Sequence, residues 1–259
     1  MKRYDGQVAV VTGASSGIGR RAALDLAERG AVVIGVARRA ALLETLAPAL
    51  QRTSPNSNTV VCDVADVDQL RSVLDEVERR YGRVDVLVNN AGVYESTPIT
   101  EPAPDAYARV MATNFFAPVA ATQALMPGML ARRSGIVVNV SSDSARAPEA
   151  REGAYAASKA ALSAFSECVA AEVGARGVYV HVLYPAWVPT AMGLGDGAGT
   201  LPPKPVRRTE AQVSNLMLER MGTARVDINA SRLPLVAVLA RTMVPTVYTR
   251  AMRKYGSRP

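Results

Sequence analysis

Six short apolar runs dominate the first 185 residues: "QVAVVTG", "AVVIGVAR", "NTVVCDV", "RVDVLVNNAG", "SGIVVNVSS" and "GVYVHVLYP", each closed by a Gly, Asn, Asp or Pro or running straight into a turn. Each run is hydrophobic throughout rather than at every second residue, so both faces of the strand it forms must be covered. Longer Ala- and Leu-rich stretches separate them, and helices are expected at 17–29, 40–50, 66–81, 103–131 and 153–174. Right-handed crossovers then build a doubly wound parallel sheet with helices on both faces. Pro118 and Pro127 should kink or end the fourth helix. A further helix at 209–222 and a seventh strand in "ARVDINA" complete the pattern. The Gly/Pro-rich stretch "GLGDGAGTLPPKP" at 193–205 reads as a mobile loop within one domain spanning 1–259.

The chain's 259 residues, 49% of them hydrophobic, suffice for one large core. No stretch approaches the roughly 18 apolar residues of a membrane span, and the N-terminus runs directly into a strand, so a soluble cytoplasmic protein is expected. Cys62 and Cys168 are too few for a disulfide framework and read as reduced, buried thiols. His181 is the sole histidine and lies inside an apolar strand, so it reads as a core or interface residue and no metal site is expected. The net charge of +7 is unevenly placed: residues 1–196 hold 19 Lys and Arg against 20 Asp and Glu, and residues 197–259 hold 11 against 3.

The first strand enters "TGASSGIG", which puts Gly13, Gly17 and Gly19 at a strand-to-helix turn together with Ser15, Ser16 and Ile18. Glycines let the backbone approach a diphosphate, and a helix N-terminus offers free N–H groups and partial positive charge. A dinucleotide site is expected there. "NNAG" follows the fourth strand, Asn114 falls in the long helix, Ser142 follows the fifth strand, and "YAASK" sets Tyr155 four residues before Lys159. That spacing places phenol and ammonium on one helical face, where a cation stabilises the phenolate and lowers a pKa that is ordinarily ~10.

With these marks, in this order, residues 6 to about 192 resemble the short-chain dehydrogenase/reductase family. The resemblance implies a Rossmann-type fold and a catalytic tetrad of Asn114, Ser142, Tyr155 and Lys159. Tyr155 would act as general acid or base in hydride transfer to or from a carbonyl, and Ser142 would give a second hydrogen bond. Lys159 would also hold the nicotinamide ribose, and Asn114 would position the lysine through a water. It implies further that Asp63 and Val64 lie beside the adenine and that Asn90, Ala91 and Gly92 line the far ribose. Pro185, Val188 and Thr190 would meet the carboxamide and diphosphate. A homodimer or homotetramer packed through the helices at 103–131 and 153–174 is also implied.

The second strand ends at Ala37, where an NAD enzyme would place an acid for the ribose hydroxyls. Arg38 and Arg39 follow, and no acid occurs between Glu28 and Glu44. A guanidinium fork suits a 2′-phosphate, so NADP(H) is expected ahead of NAD(H). One departure from the family stands after the sixth strand, where "YPAWVPT" has Ala186 in place of a glycine. If that position needs positive φ, the alanine costs ~1 kcal/mol or shifts the loop.

The expected substrate walls are 93–97, 143–153 and the substrate-loop region 186–222. Tyr94, Ser144, Trp187 and Met192, with Tyr184 and Leu194, make a mainly apolar lining for a hydrophobic ketone, aldehyde or secondary alcohol. Glu149 and Glu152 read as solvated. The basic, apolar extension at 231–259 is open between an amphipathic helix covering the substrate mouth or a partner subunit and a weak contact with an anionic membrane surface. Nucleic acid is not expected as a partner, because the tail lacks aromatic interleaving and a reading helix. The leading function is an NADP(H)-dependent oxidoreductase, and the alternative is a non-catalytic NADP(H)-sensing protein on the same fold.

Overall fold

The computed structural model describes residues 2–96, 98–101, 103–194 and 204–256. Thr97 of the first expected substrate wall and most of the Gly/Pro-rich loop, residues 195–203, lie outside them. Among the described residues seven strands form one sheet: β1 (Val8–Thr12), β2 (Val32–Ala37), β3 (Asn58–Val61), β4 (Val86–Asn89), β5 (Gly135–Val140), β6 (Val178–Tyr184) and β7 (Asp227–Asn229). Their spatial order is β3-β2-β1-β4-β5-β6-β7 and every pairing is parallel. β1 and β4 are buried along their whole length, whereas β3 at one edge is partly exposed. The continuous hydrophobicity of the central strands thus reflects cover on both faces.

Two apolar layers supply that cover. On one face α1 (Gly17–Glu28), α2 (Ala40–Gln51) and α8 (Glu210–Arg220) insert Leu26, Leu46 and Met217, all fully buried. On the other, α3 (Val67–Tyr81), α5 (Ala117–Ala131) and α6 (Gly153–Val173) insert Leu74, Leu125 and Val173. Local signals set the helix ends. The Asp66 side chain accepts from the Gln69 N–H at the start of α3, and Gly82 closes it in the left-handed region at φ 75°. Thr209 and Gln212 form a capping box on α8.

The helix expected at 103–131 is interrupted. α4 (Pro104–Met111) passes through one π-helical turn, Ala112–Phe116, into α5. Pro118 has no N–H to offer the carbonyl of Asn114 and its ring crowds that oxygen, so the ladder widens: the Ala117 N–H donates to Ala112, five residues back. Pro127 lies inside α5 without ending it.

Buried amides fasten α6 to the sheet. Asn89 Nδ2 donates to Asn139 Oδ1 at 2.8 Å, and Asn139 Nδ2 donates to Ser166 Oγ on α6 at 2.8 Å. His181 is fully buried and its ring bridges two backbone groups: the Gly222 N–H donates to Nε2 at 2.8 Å, which leaves Nδ1 to donate to the Arg225 carbonyl at 2.7 Å. Burial lowers its pKa. Cys62 is buried as expected, but Cys168 is exposed on α6, because it falls on that helix's solvent side. Both thiols are free. Beyond β7, the extension forms two helices rather than one, α9 (Leu233–Met243) and α10 (Pro245–Gly256). None of the described helices is long and apolar enough to cross a membrane.

Candidate active site

In a parallel sheet all carboxyl ends lie on one side, and here the crossovers reverse direction between β1 and β4. A crevice opens at such a point. Its volume is about 390 Å³.

The β1–α1 turn forms its floor. Gly13 has φ 67°, and a Cβ there would stand 2.7 Å from Asn90 Nδ2 and 2.8 Å from the Ala91 Cα, so only glycine fits. Ser16 at the start of α1 makes no capping hydrogen bond with its side chain, which leaves the helix's first N–H groups facing the crevice. Thr12 Oγ1 accepts from the N–H groups of Asn90 and Ala91, both at 3.0 Å, and locks the two turns together.

At the outer end, two arginines behave differently. Arg39 reaches back over the turn and donates to Ser15 Oγ at 2.9 Å and Ser16 Oγ at 2.6 Å. Arg38 pairs with Asp63 at 3.4 Å across the outer end of the crevice. The inner end holds Lys159 on α6, 4% exposed, with Nζ donating to the Val140 carbonyl at 2.8 Å. Gly92 leaves room beside it: a Cβ there would lie 3.3 Å from Asn114 Oδ1 and 3.5 Å from Lys159 Nζ.

Asn114 occupies the π-helical turn and is fully buried. Its Oδ1 accepts from the Val93 N–H at 2.8 Å, and its Nδ2 donates to the Val93 carbonyl at 2.9 Å and Ser158 Oγ at 3.0 Å. Ser142 caps a 3-10 turn, Asp143–Ala145, by accepting from the Ser144 N–H at 3.2 Å, and its hydroxyl lowers the pKa of the Tyr155 phenol. Arg146, just past that turn, lies 3.4 Å over the Tyr184 ring, donates to Asn229 Oδ1 at 2.5 Å and pairs with Asp227. The Ser142 turn is thereby tied to β6 and β7. Tyr94 stacks edge-on against Tyr155 with centroids 5.2 Å apart.

The electrostatics reverse one expectation. Burial pushes the Tyr155 phenol up to about 12; the Ser142 hydrogen bond pulls it down, and Glu152, Tyr94 and Asp143 push it up again. Lys159 Nζ is 5.9 Å from the ring centroid, and its own ammonium is pushed down to about 8 by burial. Desolvation is the largest cause of the Tyr155 shift, and the phenol stays protonated at neutral pH.

That burial has a measurable cost. An ammonium held near 8 when folded and at 10.5 when unfolded destabilises the fold fully below pH 8. The penalty fades as pH rises from 8 to 10.5, because the folded state sheds its proton first. Lys159→Met is therefore expected to stabilise the cofactor-free protein at pH 7 by about 1–3 kcal/mol, with the gain shrinking toward pH 10. Thermal melts across that range check it, and a gain independent of pH would contradict the cause.

Most residues singled out from the sequence meet in the crevice. Gly13, Ser15, Ser16, Gly17, Ile18, Arg38, Arg39, Asp63 and Val64 line its outer part, and Asn90, Ala91, Gly92, Tyr155, Lys159, Pro185, Thr190 and Met192 its inner part. Gly19 packs behind the turn against Asn90. Val188 does not line it: its side chain is 5% exposed and belongs to the core. Trp187 donates from Nε1 to the Gly193 carbonyl at 3.0 Å, bracing the loop. Glu149 is exposed, but Glu152 is half-buried, its carboxyl raised mainly by burial and accepting from the Glu149 N–H at 3.5 Å. Asp143 opens the expected wall 143–153 but was not singled out; burial raises its carboxyl to about 6 and one of its oxygens lacks a partner. Sequence reasoning also missed Thr113 and Ser141, whereas Val93 falls in the expected wall 93–97. Adjacency to strand ends was the available signal.

Ala186 has φ 61°. The position does demand the left-handed region, at about 1–2 kcal/mol for a residue with a Cβ. Ala186→Gly should recover about 0.5–1 kcal/mol after the extra unfolded-state freedom of glycine is deducted. A melting temperature higher by about 1–4 °C is the expected result; a lower one would show that the strain is relieved elsewhere.

A Gly-rich strand-to-helix turn, a switch-point crevice and a buried lysine beside a tyrosine, all on a Rossmann-type sheet, are the arrangement of a nicotinamide-dependent oxidoreductase. Residues 7–197 match the model of the short chain dehydrogenase family. The chain belongs to that family. It is 37% identical over 261 residues to dehydrogenase/reductase SDR family member 7B of Bos taurus, covering 95% of this chain and 80% of that one. A metagenomic short-chain oxidoreductase in complex with NADP superposes with TM-score 0.75 at 28% identity, over 88% of this chain and 97% of that one. An NAD+-bound xylitol dehydrogenase shares the fold, with TM-score 0.77 at 23% identity over 88% and 99%.

Proposed function

We propose that the protein is an NADP(H)-dependent carbonyl reductase or alcohol dehydrogenase acting on a hydrophobic ketone, aldehyde or secondary alcohol. The observation that carries this reading is the pairing of Tyr155 with the buried Lys159 on one face of α6, Nζ 5.9 Å from the ring centroid, both lining the inner end of the crevice.

The residues present fit the cofactor. The uncapped start of α1 and the turn at Gly13 suit a diphosphate. Lys159 has two donors beyond the one spent on Val140 for ribose hydroxyls. Arg39 fits a 2′-phosphate in place of the Ser15 and Ser16 hydroxyls it now holds, while Arg38 is engaged by Asp63. When bound, the cofactor would supply a hydride to the carbonyl carbon, or accept one from the carbinol carbon in the oxidising direction. In the reducing direction Tyr155 donates its phenolic proton to the carbonyl oxygen, and Ser142 donates a hydrogen bond to that oxygen as negative charge develops. A phenol pushed up to about 12 is a proton reservoir at pH 7. Asn114 is a positioning residue, since its amide fixes Val93 beside Gly92. Tyr94 and Met192, both partly exposed at the rim, support an apolar substrate.

Exposed Phe116 and a groove along α5 bordered by Met126, Pro127 and Leu130 support a homodimer or homotetramer through α5 and α6. The test of function is a carbonyl panel followed at 340 nm with NADPH and NADH in parallel. Turnover is expected with NADPH. Tight NADPH binding without turnover of any substrate would make the protein an NADP(H) sensor instead.

A further inference from the structure

α9 begins four residues past the end of β7 and so at the carboxyl-end rim of the sheet, the side on which the crevice opens. The Ala230 N–H, donating to the Tyr184 carbonyl at 2.9 Å, fixes that start. On α9 the half-buried Leu235 and Val238 lie on one side. On the other, Leu233, Val236, Leu239 and Met243 recur at spacings of three and four, which makes a single helical face. They are 46%, 59%, 62% and 75% exposed. Val244 and Val247 carry the exposed apolar surface into α10, which packs on α9. So much uncovered apolar surface on one element indicates an interaction surface.

Its surroundings select the occupant. From Leu233 to the end the sequence has five Lys and Arg and no Asp or Glu, and Arg232, Arg241 and Arg250 are exposed. A second copy seated on this face would oppose like charge to like charge with no acid to offset it. An anionic lipid surface complements both the charge and the apolar stripe. We propose that α9 and α10 dock the protein on anionic membrane surfaces, with the Leu233–Met243 stripe among the head groups and acyl boundary and the arginines on lipid phosphates. Docking at this rim turns the mouth of the crevice toward the bilayer, which suits a hydrophobic substrate; that last clause alone rests on the function proposed above.

Sedimentation with vesicles, without cofactor or substrate, tests docking separately from catalysis. The full chain should sediment with phosphatidylcholine/phosphatidylglycerol vesicles, not with phosphatidylcholine alone, and should be released at 0.5 M NaCl, where screening is strong. Arg241→Ala/Arg250→Ala should weaken partitioning about 25-fold, about fivefold per removed charge. Leu239→Glu/Met243→Glu should abolish it while NADPH turnover in solution persists. If the glutamate variant fails to fold, the alanine variant decides. No sedimentation of the intact chain, or equal sedimentation of the alanine variant, overturns the proposal. So does a dimer by light scattering that Leu239→Glu/Met243→Glu dissolves, because the face would then belong to a second copy.

Discussion

Tyr155→Phe is expected to lower kcat by about 10³-fold, within the range of general acid–base catalysis, and to leave the affinity for the nicotinamide cofactor within about twofold. The ring keeps its place: it stacks edge-on with Tyr94 and sits on α6, which the Asn89–Asn139–Ser166 chain of hydrogen bonds holds to the sheet. Only the hydroxyl is lost, and with it the proton. The split between kcat and binding separates a chemical role from a structural one. Near-normal turnover in Tyr155→Phe would remove Tyr155 from the mechanism, whatever the fold's family.

Arg39→Ala should raise the KM for NADPH by about 10–100-fold, the value of a lost charge-assisted contact, with little change for NADH. The same substitution at Arg38 should have a smaller effect. The asymmetry follows from the partners each guanidinium holds. Arg39 sits on two serine hydroxyls that exchange cheaply for a phosphate, and Arg38 is already paired with the carboxylate of Asp63. Parallel initial-rate measurements with both cofactors check the pair. An equal rise for NADH and NADPH would place Arg39 on the diphosphate rather than on the 2′-phosphate. Larger losses from Arg38→Ala would reverse the assignment.

Much of this architecture can be read from the chain, and the reasons are specific. β1 and β4 are buried along their whole length, so VAVVT and VLVN print as nearly continuous apolar runs. The crevice was legible because its floor needs residue types that nothing else supplies: Gly13 at φ 67° with Asn90 and Ala91 against it. Readings fail where a result depends on three-dimensional surroundings. The widened turn at Ala112–Phe116 comes from Pro118 acting within a helix that the rest of the sequence favours. The high phenol pKa comes first from burial in the folded chain, with Glu152, Tyr94 and Asp143 adding to it, which a four-residue spacing does not reveal. Val188 appears in the right motif, yet its side chain turns inward, because β-branched residues beside a sheet end fill the core. Asp143 carried no signal of its own except that it follows Ser142.

An all-parallel sheet gives the molecule two unlike ends. Tyr4, anchored through its hydroxyl to the Leu218 carbonyl and through its N–H to Arg29, leads the chain into β1 at the end opposite the crevice. An affinity handle, a fluorophore or a solid support joined ahead of Tyr4 would therefore leave the cofactor cleft and the α9–α10 pair pointing away from the attachment. Oriented monolayers prepared in that way would present each protein the same way up, which is the arrangement a surface-based assay of this enzyme needs.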